Sequence, residues 1–371
     1  MYQAESSNCD AEWICKAVQA IEADFNRSAD THLIKPEMPK AWNGWQLYFK
    51  DESIHPSGSL KHRLARSLYL YGLCNGWIGP NTPIIEASSG STAISEAYFA
   101  RLLGLRFIAV IPDTTSCEKI DKIGFYGGEV ELVRGHDMYV AAERLATDLR
   151  GHFMDQFTYA ERATDWRGNN NIAESLFLQM AREPDPCPDW IVVSAGTGGT
   201  AATIGRYLRY RCLAGCPTRL CVADPEDSVY YDYYRTRDES LSIPRDPQIE
   251  GIGRARVEKS FIPSVIDRMT KVPDAASMAA LRFLDRWLGR RCGGSTGTNL
   301  IAAARLLASM RLEGRQGSIV TLLCDDGERY RESYFNDDWI RARGLSIEPW
   351  MNTLEEWAQT GHWQEPRASG E

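Results

Sequence analysis

Trp190-Ile191-Val192-Val193-Ser194-Ala195-Gly196-Thr197-Gly198-Gly199-Thr200 is the stretch that decides the fold. A short apolar run bounded by turn residues reads as a buried strand. Ser194-Ala195 closes that strand, the glycines make a tight turn, and a helical pattern begins at Gly199. A strand that feeds a helix through such a turn is the repeating unit of a parallel sheet.

Similar units lie on both sides of it. Upstream come Pro83-Ile84-Ile85-Glu86, a helical pattern from Ala93 to Leu103, Phe107 to Ile111, Ile120 to Tyr126, Val130 to Val133, and a helix from about Met138 to Leu149. Downstream come Leu220-Cys221-Val222, helices across Ala275 to Arg290 and Asn299 to Arg311, and a strand from Ser318 to Leu323. Two such series predict two α/β domains, each with a parallel sheet flanked by helices on both faces, and a cleft between them. The expected spans are 48–165 for a smaller domain and 1–47 with 166–371 for a larger one. Glu183-Pro184-Asp185-Pro186-Cys187-Pro188 reads as a loop before a central strand. The stretches before about Trp45 and after about Gly327 carry no legible chemistry.

Composition excludes several functions. The 371 residues supply ample apolar material for a core, and the net charge of −8, without a long basic block, argues against nucleic acid as a partner. No run approaches the ~20 apolar residues that a membrane span needs. The first ten residues are polar and lack a signal-peptide core, so a soluble cytoplasmic protein is expected. The ten cysteines include one tight group, Cys212, Cys216 and Cys221, and no CxxC pair. Reduced, mostly buried thiols are expected, with no bound metal.

Four turns carry the chemistry, each opening a helix. His55-Pro56-Ser57-Gly58-Ser59-Leu60-Lys61-His62-Arg63 places a lysine at a turn-to-helix junction, aimed by the loop and anchored by the helix. Gly196 to Thr200 let backbone N–H groups approach an anion at a helix N-terminus, and the threonines add hydroxyl donors. Ser88-Ser89-Gly90-Ser91-Thr92 offer hydroxyls and N–H groups suited to a carboxylate; alone they would read as an ordinary N-cap. Gly293-Gly294-Ser295-Thr296-Gly297 put a neutral hydroxyl before another helix. One lysine with two anion-cradling turns meets the needs of an enzyme that holds pyridoxal 5′-phosphate covalently, grips its phosphate and grips an amino-acid carboxylate. The glycine turn has neither the GxGxxG spacing of a dinucleotide site nor the Lys-Ser/Thr ending of a P-loop, so an oxidoreductase is disfavoured.

In order and spacing these segments resemble the fold type II pyridoxal-phosphate enzymes, the tryptophan synthase β-subunit-like fold, and within them the cysteine synthase and cystathionine β-synthase family. The resemblance covers roughly 45–327. It implies that Lys61 is the Schiff-base lysine and that Ser88, Ser89, Gly90, Ser91 and Thr92 form the substrate-carboxylate loop. It further implies that Gln156 contacts substrate near that loop, and that Gly196, Thr197, Gly198, Gly199 and Thr200 bind the cofactor phosphate. Ser295 would face the pyridine nitrogen, and Gly251-Ile252-Gly253 would line the cleft opposite the lysine. A homodimer acting on a small amino acid is implied as well.

The departures point to a branch. Ser91 stands where the family commonly has an asparagine that contacts the cofactor ring, Ala93 replaces a glycine, and Arg254 follows Gly253 where synthases have a small residue. These variants look more like the bacterial L-cysteine desulfhydrases than the biosynthetic synthases. The expected reaction is β-elimination of L-cysteine to pyruvate, ammonia and hydrogen sulfide. A cysteine synthase or other β-replacement enzyme using O-acetylserine or a related donor is the nearest alternative, and a non-catalytic binding or sensor protein on the same fold is the alternative of another class.

Overall fold

A computed structural model describes residues 2–27, 30–134, 138–211, 215–245 and 247–366. In chain order the strands are β1 (His32–Ile34), β2 (Trp45–Asp51), β3 (Ile84–Glu86), β4 (Phe107–Pro112), β5 (Glu129–Val133), β6 (His152–Phe153), β7 (Trp190–Ser194), β8 (Arg219–Pro225), β9 (Arg268–Val272) and β10 (Gly317–Leu323). The helices are α1 (Tyr2–Asn26), α2 (Lys61–Cys74), α3 (Ser91–Leu103), α4 (Cys117–Phe125), α5 (Met138–Leu149), α6 (Gln156–Ala163), α7 (Ile172–Met180), α8 (Gly199–Arg211), α9 (Tyr230–Thr236), α10 (Asp274–Leu288), α11 (Gly294–Leu312), α12 (Asp337–Ala342) and α13 (Glu348–Thr360).

The chain divides into two compact units, one of residues 1–30 and 55–165, the other of residues 31–54 and 166–371. The smaller holds a parallel sheet in the order β5-β4-β3-β6. The larger holds a sheet in the order β1-β2-β10-β7-β8-β9, parallel throughout except where β1 runs antiparallel to β2. The expected α/β class with parallel, helix-flanked sheets is what the chain forms. Trp190, Ile191, Val192 and Val193 are all buried, as a strand covered on both faces requires.

The unit boundaries differ from the expected 48–165 and 1–47 plus 166–371 at two places. Helix α1 falls in the smaller unit because Trp13, Ile14, Ala17, Val18 and Ile21 form a helical stripe that packs into the core containing Leu64 and Leu68 of α2. Strand β2 falls in the larger unit because it pairs with β10 along its whole length, from Trp45 beside Gly317 to Asp51 beside Leu323. The stretch after Gly327 is core as well. Trp357 of α13 is fully buried against Trp42, whose indole N–H donates to the Trp357 carbonyl at 2.7 Å.

The cysteine expectation is corrected in part. Cys187 and Cys216 form a disulfide. Cys221, Cys292 and Cys324 are buried thiols, whereas Cys15, Cys74 and Cys117 are exposed ones. Cys212 lies outside the described residues. Among the described residues no helix is long and apolar enough to cross a membrane, and no cluster of His, Cys, Asp or Glu suits a metal.

Candidate active site

Lys61 is the first residue of α2. The turn before it closes through the Gly58 N–H, which donates to the His55 carbonyl at 2.7 Å, with Gly58 at φ +76°. Ser59 replaces a side-chain N-cap, its hydroxyl oxygen accepting the Lys61 N–H at 3.3 Å. Neighbouring side chains tie the turn to α3: Ser57 Oγ lies 2.8 Å from Ser95 Oγ and 3.1 Å from His62 Nδ1. The His62 ring stacks on His55 and packs on Phe99.

The 88–92 loop follows β3 and runs into α3, which starts at Ser91 with Gly90 as its N-cap residue. Ser88, Ser89, Gly90 and Ser91 are half-buried, and Thr92 is buried. The Thr92 hydroxyl donates to Gln156 Oε1 at 2.8 Å, joining two of the expected substrate residues. Within the loop the Gly90 N–H donates to Ser88 Oγ at 3.3 Å, and the Thr92 bond makes Gln156, itself buried, a brace for the loop.

Sequence reasoning missed Glu86. Its Oε1 accepts the Ala87 N–H at 2.7 Å and its Oε2 the Gln156 N–H at 3.2 Å. It therefore knots the end of β3 to the start of α6, from beneath the loop. Burial pushes its carboxyl up to about 8, against the lowering effect of those N–H groups. Glu96, one turn along α3 from Thr92, is also fully buried; burial and the nearby Glu86 push it well above the usual carboxylate range. An acid ending the apolar run Ile84-Ile85-Glu86 was the available signal.

In the larger unit the 196–200 turn links β7 to α8. Gly198 has φ +88°, and a Cβ there would lie 2.7 Å from Phe261 Cα and from the Ser260 carbonyl oxygen. At Gly196 a Cβ would lie 2.2 Å from the Gly251 carbonyl oxygen. Only glycine fits either place. The Tyr230 hydroxyl donates to the Gly196 carbonyl at 2.7 Å, and the Gly199 N–H to Thr197 Oγ1 at 3.3 Å. Thr197, Gly198 and Gly199 are buried, while Gly196 and Thr200 are half-buried.

Ser295 lies in the first turn of α11, which begins at Gly294, five residues before the expected start at Asn299. Ser295 is buried. Its neighbour Thr296 is committed to structure, its hydroxyl oxygen accepting the Cys324 N–H at 3.2 Å. Asp325, at the end of β10, supports this helix start: a Cβ on Gly293 would fall 1.8 Å from Asp325 Oδ1, and the Tyr330 hydroxyl donates to Asp325 Oδ2 at 2.7 Å. Three of the expected features meet here. The segment that carries Gly251 abuts Gly196 at one point, and through Ile249 it abuts Gly294 at another, where a Cβ would lie 2.9 Å from Ile249 Cγ2. Lys61, the 88–92 loop and Gln156 belong to the smaller unit.

The turn at the carboxyl end of β7 fits the phosphate of pyridoxal phosphate. It offers close backbone approach, a helix N-terminus and threonine hydroxyls. L-Cysteine desulfhydrase Cds1 of Mycobacterium tuberculosis is 56% identical over 95% of this chain and 96% of its own length. N-(2-amino-2-carboxyethyl)-L-glutamate synthase of Ralstonia nicotianae is 34% identical over 80% of this chain and 84% of its own. The crystal structure of O-ureido-L-serine synthase superposes with a TM-score of 0.69 at 27% identity, covering 84% of this chain and 96% of the other. The model of the pyridoxal-phosphate dependent enzymes matches residues 28–325. The chain belongs to that family, and its cofactor is pyridoxal phosphate.

Proposed function

We propose that the protein is a cysteine desulfhydrase: L-cysteine and water give pyruvate, ammonia and hydrogen sulfide. The observation that carries this reading is the 56% identity, across nearly the full length of both chains, to a protein of that activity. Bound pyridoxal phosphate supplies an electron-withdrawing ring that stabilises negative charge at the substrate Cα. Lys61 is assigned to hold the cofactor and, once released, to take the Cα proton on Nζ. Gly196, Thr197, Gly198, Gly199 and Thr200 are assigned to the phosphate, and Ser295 to the ring nitrogen. Ser88, Ser89, Gly90 and Ser91 are assigned to the amino-acid carboxylate, with Thr92, Gln156 and Glu86 holding the loop. Gly251 stands on the wall beside the phosphate turn. Ser91 is too short to repeat the asparagine contact of the synthases, which leaves a looser hold on the ring.

A β-replacement reaction is the second reading, favoured by the likeness to two synthases. The test is one preparation and two assays: sulfide and pyruvate from L-cysteine alone, beside cysteine formed from O-acetylserine and sulfide. Equal yields of sulfide and pyruvate, with Lys61→Ala inactive but folded, are expected. A synthase rate greater by orders of magnitude would replace the desulfhydrase reading. Wild-type turnover in Lys61→Ala would end the assignment of that lysine.

The protein is further proposed to work as a homodimer in the cytoplasm. The family resemblance supports the dimer. Light scattering and cell fractionation check the two statements.

A further inference from the structure

A chain of side-chain hydrogen bonds runs from the residue next to Lys61 to the 88–92 loop, wholly inside the smaller unit. His62 Nδ1 lies 3.1 Å from Ser57 Oγ, Ser57 Oγ lies 2.8 Å from Ser95 Oγ, and the Ser95 hydroxyl donates to the Ser91 carbonyl at 2.8 Å. Ser57, His62 and Ser95 are 5%, 6% and 0% exposed, so bulk water does not reach these links. The surroundings hold the first two in place. The Tyr126 hydroxyl donates to the Pro56 carbonyl at 2.8 Å, and the His62 ring has His55, Tyr98 and Phe99 at centroid distances of 5.0, 5.0 and 4.8 Å.

The chain has one direction. A serine hydroxyl carries a single proton, and a carbonyl can only accept. The Ser95 proton is therefore spent on the Ser91 carbonyl, and the Ser57 proton goes to Ser95 Oγ. The contact between Ser57 and His62 must then take its proton from the ring, which puts a hydrogen on Nδ1. Any other assignment leaves two buried acceptors facing each other, at a cost in stability.

We propose that His62, Ser57 and Ser95 are positioning residues for the elimination, a one-way relay that keeps the carboxylate loop in register with Lys61. The proposal rests on the assignment of Lys61 to the Cα proton and of the 88–92 loop to the substrate carboxylate. The carboxylate carbon and Cα are bonded neighbours, so the group that grips one must stand at a fixed distance from the group that deprotonates the other. A misplacement of about 1 Å costs on the order of a hundredfold in rate. Thr92 ties the loop to α6 through Gln156, and the relay ties it to α2.

The tests use the holoenzyme. Ser95→Ala removes two of the three links at a helix position where alanine is favourable. Its kcat/KM for L-cysteine should fall about tenfold, with kcat reduced as well as KM raised. Ser95→Thr, which keeps the hydroxyl, should recover most of that loss. Because the links act in series, Ser57→Ala combined with Ser95→Ala should lose no more than either alone. His62→Phe keeps the packed ring without its donor and should match Ser57→Ala; it replaces Ser95→Ala should that variant fold poorly. One readout is independent of turnover: NMR of protein carrying isotope-labelled histidine should find the His62 proton on Nδ1, and Ser57→Ala should release that preference. A bare Nδ1 overturns the relay. So do additive losses in the double variant, or lowered urea midpoints with kcat and KM unchanged, the mark of a purely structural link. Lys61→Ala, and Ser88→Ala combined with Ser89→Ala, test the underlying assignment separately. If the first keeps turnover or the second leaves KM untouched, the site itself is misassigned; if both behave as assigned while Ser95→Ala is silent, only the relay fails.

Discussion

Three glycine-to-alanine changes, at Gly90, Gly251 and Gly198, should give three different outcomes from the same added methyl group. At Gly90, φ is −106° and nothing lies within 4 Å of the new Cβ, so the cost should stay below about 1 kcal/mol, that of exchanging a favourable N-cap residue for a poor one. At Gly251 the space is also open, but φ is +82°, which for alanine costs about 1 kcal/mol or slightly more. At Gly198 the φ of +88° carries the same penalty, and the Cβ also meets two backbone atoms at 2.7 Å. Backbone cannot swing aside as a side chain can, so overpacking adds roughly 1–3 kcal/mol, for a total of about 2–4 kcal/mol. Urea denaturation of the three cofactor-free variants should therefore rank them Gly90, Gly251, Gly198, with Gly198→Ala also impaired in binding pyridoxal phosphate. Lost activity in a fully stable Gly90→Ala variant would then report on substrate, because its fold is unaffected. The reasoning fails if Gly198→Ala proves as stable as Gly90→Ala and binds the cofactor normally.

Thr92→Val removes the bond to Gln156 and strands a buried acceptor, a loss of about 1–3 kcal/mol that should raise KM for L-cysteine more than it lowers kcat; an unchanged KM would mean that Gln156 needs no brace. Glu86 sets a pH dependence. With its folded-state value raised to about 8 from 4.5, its contribution to stability is complete below about 4.5 and is lost as pH rises toward 8, at up to ~1.4 kcal/mol per pH unit. Glu86→Gln should flatten the corresponding fall in the urea midpoint between about pH 5 and pH 8, and an identical slope in both proteins would contradict the assignment. The Cys187–Cys216 disulfide spans 29 positions, so reductant or Cys216→Ser should cost up to about 3–4 kcal/mol. No change in either would show the link to be dispensable.

The legible parts of the fold were those where local sequence and final structure agree. Trp190 to Val193 is apolar because both faces of β7 are covered, and the glycines after it are demanded by contacts at 2.2 and 2.7 Å that no other residue survives. Strand β2 was harder, because Trp45-Gln46-Leu47-Tyr48-Phe49-Lys50-Asp51 mixes in charge. Lys50 is nonetheless fully buried, its Nζ donating to the Thr31 carbonyl at 2.7 Å and to Gln179 Oε1 at 2.8 Å, partners that only tertiary structure supplies. The same holds at the site. Lys61 and the turns announce themselves through glycine and hydroxyl spacing, whereas Glu86 acts through a residue 70 positions away. Ser295 was placed correctly on a helix start, yet α11 begins earlier than expected because the Gly293 N–H donates to the Asp325 carbonyl, a contact from a distant strand.

The pairing of β2 with β10 has a consequence for biosynthesis. Residues 45–51 leave the ribosome early, and their parallel partner, residues 317–323, is made roughly 270 residues later. At about 5–20 residues per second, that edge of β2 waits on the order of 15–50 seconds for its neighbour. Meanwhile the strands of the smaller sheet, all made by residue 153, can already pair. An apolar strand with an open edge for that long is a template for pairing with another chain. Lys50 and Asp51, buried at the end, are charged while β2 waits, and charge on an unpaired edge is what discourages such pairing. The buried lysine that obscured β2 in the sequence is thus well placed to protect the nascent chain, at the cost of a desolvation that the Thr31 and Gln179 oxygens later offset.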